Sequence, residues 1–207
     1  MIHALISDLG NVLLHFDHRI IAARLKHDFP EAQWTPEQEQ SFWTLVRNFE
    51  SGVVDTEVFL RETGTLLGSD GPLDVDHFRI LWGDIFWLND EYLSLMQELR
   101  DSLKLVMLSN TNPLHIDFAR ERFPEVFEAF PDTVYSYEIG SGKPDAVIYR
   151  AALERAAVTP DETLYFDDIS AYVEAANSLG MHGHQYVSVQ GVRDVLQMYD
   201  VPVTLPE

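Results

Sequence analysis

Hydrophobic and polar positions follow two regimes along this chain. In the first, short apolar runs bounded by turn residues read as buried strands: Ile2–Ser7, Leu103–Leu108, Thr133–Ser136, Thr163–Phe166 and His182–Val187. Between the later runs, Asp90–Asp101, a segment from about Pro113, Asp145–Ala157, Ala171–Leu179 and Val192–Tyr199 have helical spacing. Strands separated by helical stretches of about ten residues or more imply βαβ units. The fold class predicted is α/β, with a mostly parallel sheet.

The second regime interrupts the first just after the opening strand. Arg19–Asp28, Glu37–Glu50, Asp55–Leu67 and Val75–Ile85 all have helical spacing, with breaks at Pro30, Pro36, Gly52 and Gly68–Pro72. Thr35-Pro36-Glu37-Gln38 carries a helix-start signature, with proline at the first helical position. The expected organisation is a core of residues 1–15 and 87–207 with a small helical cap at 16–86. Such an insert is expected to cover the C-terminal edge of the sheet, where ligands of open α/β sheets bind. Trp43, Trp82 and Trp87 lie in or beside the insert and are expected to be buried between its helices.

Composition narrows the function. The 207 residues carry 34 acidic and 14 basic side chains, a formal net charge of −20. Without a Lys/Arg cluster, neither nucleic acid nor an anionic membrane surface is an expected partner. A small anionic substrate is repelled too, so a phosphate site here needs a metal ion or a local cation. The absence of cysteine excludes disulfides, thiolate catalysis and Cys-ligated zinc. The apolar run before Asp8 is too short for a signal segment or a membrane span, so a cytoplasmic location is expected. A monomer or weak homodimer is the expected state.

Candidate chemistry sits at strand ends: Asp8 after the first strand, Ser109-Asn110 after the second, Asp167-Asp168 after the fourth, with Lys143 in a Gly-rich loop between the last two. Each alone is ordinary turn or helix-cap chemistry. Together, at the one edge where parallel strands converge, they suit phosphoryl transfer. Carboxylates hold Mg²⁺, one of them attacks phosphorus, and a hydroxyl, an amide and an ammonium hold the phosphoryl oxygens.

On these residues the chain resembles the haloacid dehalogenase superfamily of phosphohydrolases. Asp8-Leu9-Gly10-Asn11-Val12-Leu13 looks like its first motif, Leu108-Ser109-Asn110 its second, Lys143-Pro144-Asp145 its third and Phe166-Asp167-Asp168 its fourth. Asp8-Leu9-Gly10-Asn11-Val12, Ser109-Asn110-Thr111-Asn112-Pro113-Leu114-His115 and Phe49–Asp55 with Phe59 resemble the bacterial α-D-glucose-1-phosphate phosphatases more narrowly. The resemblance implies a Rossmann-like three-layer core with a cap after the first strand. It implies Asp8 as nucleophile, forming an aspartyl-phosphate, and Mg²⁺ held by Asp8, the Gly10 carbonyl and Asp168. Asp167 would be a further ligand or would steady Lys143 or a metal-bound water. Gly10, Asn11, Ser109, Asn110 and Lys143 would cradle the phosphate of a small phosphorylated metabolite such as a sugar phosphate.

One position departs from the family. Its phosphatases usually carry a second aspartate two residues after the nucleophile, as general acid and base, and here that residue is Gly10. General acid–base help is worth about 10²–10⁴ in rate. An anomeric phosphate, whose leaving oxygen is more acidic than an ordinary alcohol, suffers least. His15, His18 and His115 are candidates for a substitute acid, and Phe16, Trp43, Arg47 and Phe49 are candidates to line the site from the cap. Competing readings are a metal-independent dehalogenase, a receiver domain with a different motif order, and a catalytically weak binding or regulatory protein.

Overall fold

In the computed structural model, residues 1–32 and 34–203 are described. The core is a five-stranded, all-parallel sheet of β1 (Ala4–Ser7), β4 (Lys104–Ser109), β5 (Asp132–Tyr135), β6 (Thr163–Asp167) and β7 (His182–Gln185), in the order β5-β4-β1-β6-β7. The chain leaves the central strand β1 first for one side of the sheet and later for the other. That reversal opens a crevice at the C-terminal end of β1.

The three central strands β1, β4 and β6 are largely apolar and buried because both faces are covered, whereas the edge strand β7, His-Gly-His-Gln, is half-buried. Leu5, Leu105, Met107, Leu164 and Phe166 point into one layer, against α5 (Asp90–Leu99), α6 (Pro113–Arg122), α7 (Pro124–Ala129) and α11 (Val189–Met198). Ala4, Ile6, Val106, Leu108 and Tyr165 point into the other, against α9 (Ala146–Ala156) and α10 (Ser170–Ser178). A short helix, α8 (Ser136–Ile139), follows β5 directly.

The insert comprises α1 (His18–Asp28), α2 (Pro36–Glu50), α3 (Thr56–Leu67) and α4 (Val75–Gly83). It has its own core, in which Phe49 stacks on Phe59 at 4.2 Å and Phe59, Phe78 and Trp82 pack ring against ring. Thr35 and Gln38 close a capping box at the start of α2, as the sequence predicts. A two-stranded antiparallel ribbon, β2 (Leu14–Phe16) with β3 (Phe86–Leu88), joins insert to core. Three-residue strands carry too little periodicity to stand out in the sequence.

Two expectations need correction. Trp82 is buried, but Trp43 and Trp87 are 39% and 48% exposed. The buried stripe of α2 is Phe42, Val46 and Phe49, and Trp43 stands one position outside it. Trp87 takes the outer face of β3, between half-buried Phe86 and Leu88. Element ends also shift: β5 starts at Asp132, β7 stops at Gln185, and α11 begins at Val189, where Ser188 caps it through Gly191 N–H at 3.2 Å.

Candidate active site

The register aligns the C-terminal ends of three neighbouring strands: Ser7 pairs with Met107 on one side and Phe166 on the other. Asp8, Ser109 and Asp167 therefore emerge at one edge. The Asp8 N–H donates to the Phe166 carbonyl at 2.9 Å, which carries the ladder one residue past β1 and fixes the carboxylate.

Lys143 reaches this edge from its loop and is 5% exposed. Its Nζ lies 2.7 Å from Asp8 Oδ1 and 2.6 Å from Asp167 Oδ2. Burial disfavours the ammonium, but the two carboxylates outweigh that and hold its proton affinity above the ordinary value. Asn110 sets the loop in place: Lys143 N–H donates to Asn110 Oδ1 at 2.7 Å, and Asn110 Nδ2 donates to the Lys143 carbonyl at 3.0 Å. Gly142 is required beside it, because a Cβ there would stand 2.8 Å from Asn110 Oδ1.

The two aspartates after β6 play different parts. Asp167 is fully buried and faces inward, accepting from Lys143, from the Tyr165 hydroxyl and from Ile169 N–H. Asp168 is half-buried and faces the β1 loop, accepting from Asn11 Nδ2 at 3.2 Å. Asn11 adopts a left-handed backbone, φ 54°, the conformation asparagine tolerates best after glycine. Asp8, Asp167 and Asp168 offer carboxylate oxygens within 4.8 Å of one another. These are all hard oxygen donors, and they outnumber the one ammonium among them, so the set fits a magnesium-type cation. The same imbalance acts on Asp8: burial pushes its carboxyl up to about 7, against the pull of Lys143 and with the charge of Asp167 adding.

Gly10 is as bare as the sequence suggests, and the structure gives a reason. A Cβ on Gly10 would stand 2.9 Å from Cε1 of Phe16, so the ring occupies the space an aspartate needs. His115 does not fill the gap. It is buried, stacked on Trp82 at 5.4 Å, and bonded to Asn112 and the Trp82 carbonyl. Burial pushes it down to about 3, so it is a neutral packing residue. His15 lies on β2, tilted against Trp87, and His18 sits between Phe16 and Trp43 with its proton affinity lowered by burial. Of the cap candidates, Phe49 is sealed in the insert's core, while Phe16 and Arg47 face the seam with the core.

Glu50 and Ser51 lie in the Phe49–Asp55 stretch that carries the narrower resemblance, and Ser136 ends a predicted strand, but the sequence assigned none of the three a place in the site. They line a cavity of about 150 Å³ with Arg47, Asn110 and Gly142, at the seam between α2 and the loops that hold Ser109 and Lys143. A glutamate at a helix end before glycine gives no signal by itself, because it reads as a solvated charge.

The fold and this edge define a class: a hydrolase with a parallel α/β core, a helical insert after its first strand and clustered carboxylates at the C-terminal edge of the sheet. The chain belongs to the haloacid dehalogenase-like hydrolase family, whose description it matches over residues 2–180. It is similar to D-ribitol-5-phosphate phosphatase of Bacteroides thetaiotaomicron, 27% identical over 89% of this chain and 92% of that one. Over a shorter stretch, 38% of this chain and 36% of the relative, it is 34% identical to a phosphorylated carbohydrates phosphatase of Thermotoga maritima. In fold it is similar to the HAD family enzyme BT-2542 of Bacteroides thetaiotaomicron solved with magnesium and inorganic phosphate. That match has a TM-score of 0.80 at 24% identity, covering 91% of this chain and 96% of that one. Among the described residues no helix is long and apolar enough to cross a membrane.

Proposed function

We propose that this chain is a Mg²⁺-dependent phosphatase of small phosphorylated sugars or polyols, working through an aspartyl-phosphate on Asp8. The observation that carries the reading is the buried bridge in which one ammonium pairs with both Asp8 and Asp167, while Asp168 stands beside them. Without that neutralisation a carboxylate cannot approach a phosphate dianion.

The geometry supports the following parts. Leu9 N–H and Lys143 both bond Asp8 Oδ1, so among the described residues Oδ2 is the oxygen left to attack phosphorus. As the Asp8–phosphorus bond forms, the ester P–O bond breaks and the leaving oxygen takes up a proton from solvent water, since Gly10 offers none. Water then attacks the same phosphorus, releasing inorganic phosphate and restoring the carboxylate. Ser109 Oγ reaches its nearest partner, the Asn110 carbonyl, only at 3.5 Å, and so has a hydroxyl to offer a phosphoryl oxygen. Lys143 offsets charge on nucleophile and phosphate alike, and Asp167 with Tyr165 keeps it aimed. Mg²⁺ would be held by Asp8, Asp168 and the Gly10 carbonyl, and would supply the positive charge that shields the incoming phosphate.

Two similar proteins act on phosphorylated polyols or carbohydrates by name, which supports that substrate class. Within it, Gly10 favours an anomeric ester such as glucose 1-phosphate, whose leaving group needs the least protonation. A panel of glucose 1-phosphate, glucose 6-phosphate, ribitol 5-phosphate and p-nitrophenyl phosphate, assayed with Mg²⁺ and with EDTA, tests both levels. Turnover abolished by EDTA is expected. Turnover that survives chelation would defeat the Mg²⁺ dependence, and a clear preference for glucose 6-phosphate over glucose 1-phosphate would defeat the anomeric argument.

A further inference from the structure

Glu50 ends α2, and its surroundings are unlike those of the other cap carboxylates. The Glu50 backbone carbonyl accepts the Ser136 hydroxyl at 2.5 Å, and the same Oγ accepts Thr111 N–H at 3.0 Å. One core serine thus ties the cap to the loop after Ser109. Two residues on, Gly52 (φ +69°) approaches so closely that a Cβ would stand 2.2 Å from the Tyr137 carbonyl oxygen. The cap loop is held against the core by backbone contacts, and the Glu50 side chain is left to point elsewhere.

It lines the 150 Å³ cavity described above, whose other walls include Asn110 and Gly142. These two are the chain neighbours of Ser109 and Lys143, so the cavity continues the phosphoryl cradle toward the cap. Within it the Glu50 carboxylate has no hydrogen-bond partner among the described residues; burial pushes it up to about 7, with Arg47 the single charged group acting against that. Arg47 itself bonds Thr44 Oγ1 at 3.0 Å, back along its own helix, and is exposed. Glu50 is half-buried, and a carboxyl that loses part of its hydration without gaining a protein partner carries a cost that a ligand supplying the partner recovers.

Resting on the phosphatase reading, we propose that Glu50 receives hydroxyl groups of the leaving group and so selects uncharged, hydroxyl-rich phosphomonoesters over esters carrying a second phosphate or a carboxylate. A carboxyl pairs with hydroxyls in either protonation state, accepting when ionised and both donating and accepting when neutral. A second anion in the same space meets like charge or a poor partner.

The test compares the parent with Glu50→Gln and Glu50→Ala in Mg²⁺, on ribitol 5-phosphate, glucose 1-phosphate, phosphoglycolate and p-nitrophenyl phosphate. A hydrogen bond to a charged group is worth enough that Glu50→Ala should lower kcat/KM for the two hydroxyl-rich esters by about 10–100-fold, mostly through KM. Glu50→Gln should fall between, since an amide still bonds hydroxyls. Hydrolysis of p-nitrophenyl phosphate, which has no hydroxyl to place, should be unchanged and doubles as the check on folding. Discrimination against phosphoglycolate should relax in both variants. Equal losses on p-nitrophenyl phosphate and on the hydroxyl-rich esters, or no loss on the latter, overturn the assignment while leaving the phosphatase reading intact. A parent inert toward all four esters in Mg²⁺ removes both.

Discussion

Glu50 also makes a thermodynamic prediction that needs no substrate. The folded chain keeps the carboxyl protonated up to about 7, whereas its ordinary value is 4.5. Between those limits unfolding releases a proton, so rising pH favours the unfolded chain. The deficit is absent below the ordinary value, grows through the window and is complete above the folded one. At about 1.4 kcal/mol per tenfold in proton affinity, Glu50 costs the fold about 1 kcal/mol at pH 5 and about 3 kcal/mol at pH 8.5. Glu50→Gln removes the titration without disturbing the carbonyl that Ser136 holds. The difference in unfolding free energy between variant and parent should therefore rise by about 2 kcal/mol from pH 5 to pH 8.5. Urea unfolding followed by tryptophan fluorescence, in EDTA, measures it as a midpoint shift that widens with pH. A difference that stays flat across the range, or one that narrows, refutes the claim that this half-buried carboxyl is unpaired and held above its ordinary value. A variant that gains stability at pH 8.5 while losing activity on hydroxyl-rich esters would show a local cost retained for function.

Three further outcomes follow from the same geometry. Lys143→Met leaves Asp8 and Asp167 buried without their cation and should cost about 3–5 kcal/mol in urea unfolding; an unchanged midpoint would mean that the bridge is not what holds those charges. Gly10→Asp alone should destabilise by about 1–3 kcal/mol as Phe16 is forced aside. Combined with Phe16→Ala, it should raise turnover of glucose 6-phosphate by about 10²-fold or more by restoring a proton donor, and a double variant no faster than the parent refutes that reading of Gly10. His115→Gln should leave kcat essentially intact, because loss of a true general acid costs about 10²–10⁴; a hundredfold fall would put His115 back in the chemistry.

The core was readable because its signals are local and redundant. Ile2–Ser7 and Thr163–Phe166 are apolar runs that end in aspartate, and each later strand is separated from the next by a helix-length amphipathic segment, which leaves few topologies open. The site's composition was readable for a related reason: residues at strand ends share an edge whatever the sheet order. What escaped were relations across the insert. Nothing in the residues around Phe16 announces that its ring fills the space over Gly10, since that placement depends on the ribbon formed with Phe86, far along the chain. Trp43 and Phe42 are neighbours in sequence and equally apolar, yet only Phe42 falls on the inward stripe. Glu50 became visible only once Ser136 was seen to hold its carbonyl, turning a helix-end carboxylate into a wall of the cavity.

These relations bear on how a chain of net charge −20 can handle anions at all. Three clustered carboxylates face one ammonium at the edge of the sheet, so the site is anionic before any phosphate arrives. A divalent cation brings that set, Lys143 included, to neutrality, so an incoming phosphate no longer meets net negative charge at the edge. Past the phosphoryl group the protein presents Glu50 and the carboxamide of Asn110, with Arg47 turned back on its own helix. Lys143 thus places positive charge where phosphorus is proposed to sit, while on the leaving group's side the Glu50 carboxyl stands beside an Arg47 already bonded to Thr44. An ester whose only anionic part is the phosphate satisfies both halves of that arrangement, and a doubly anionic one satisfies only the first.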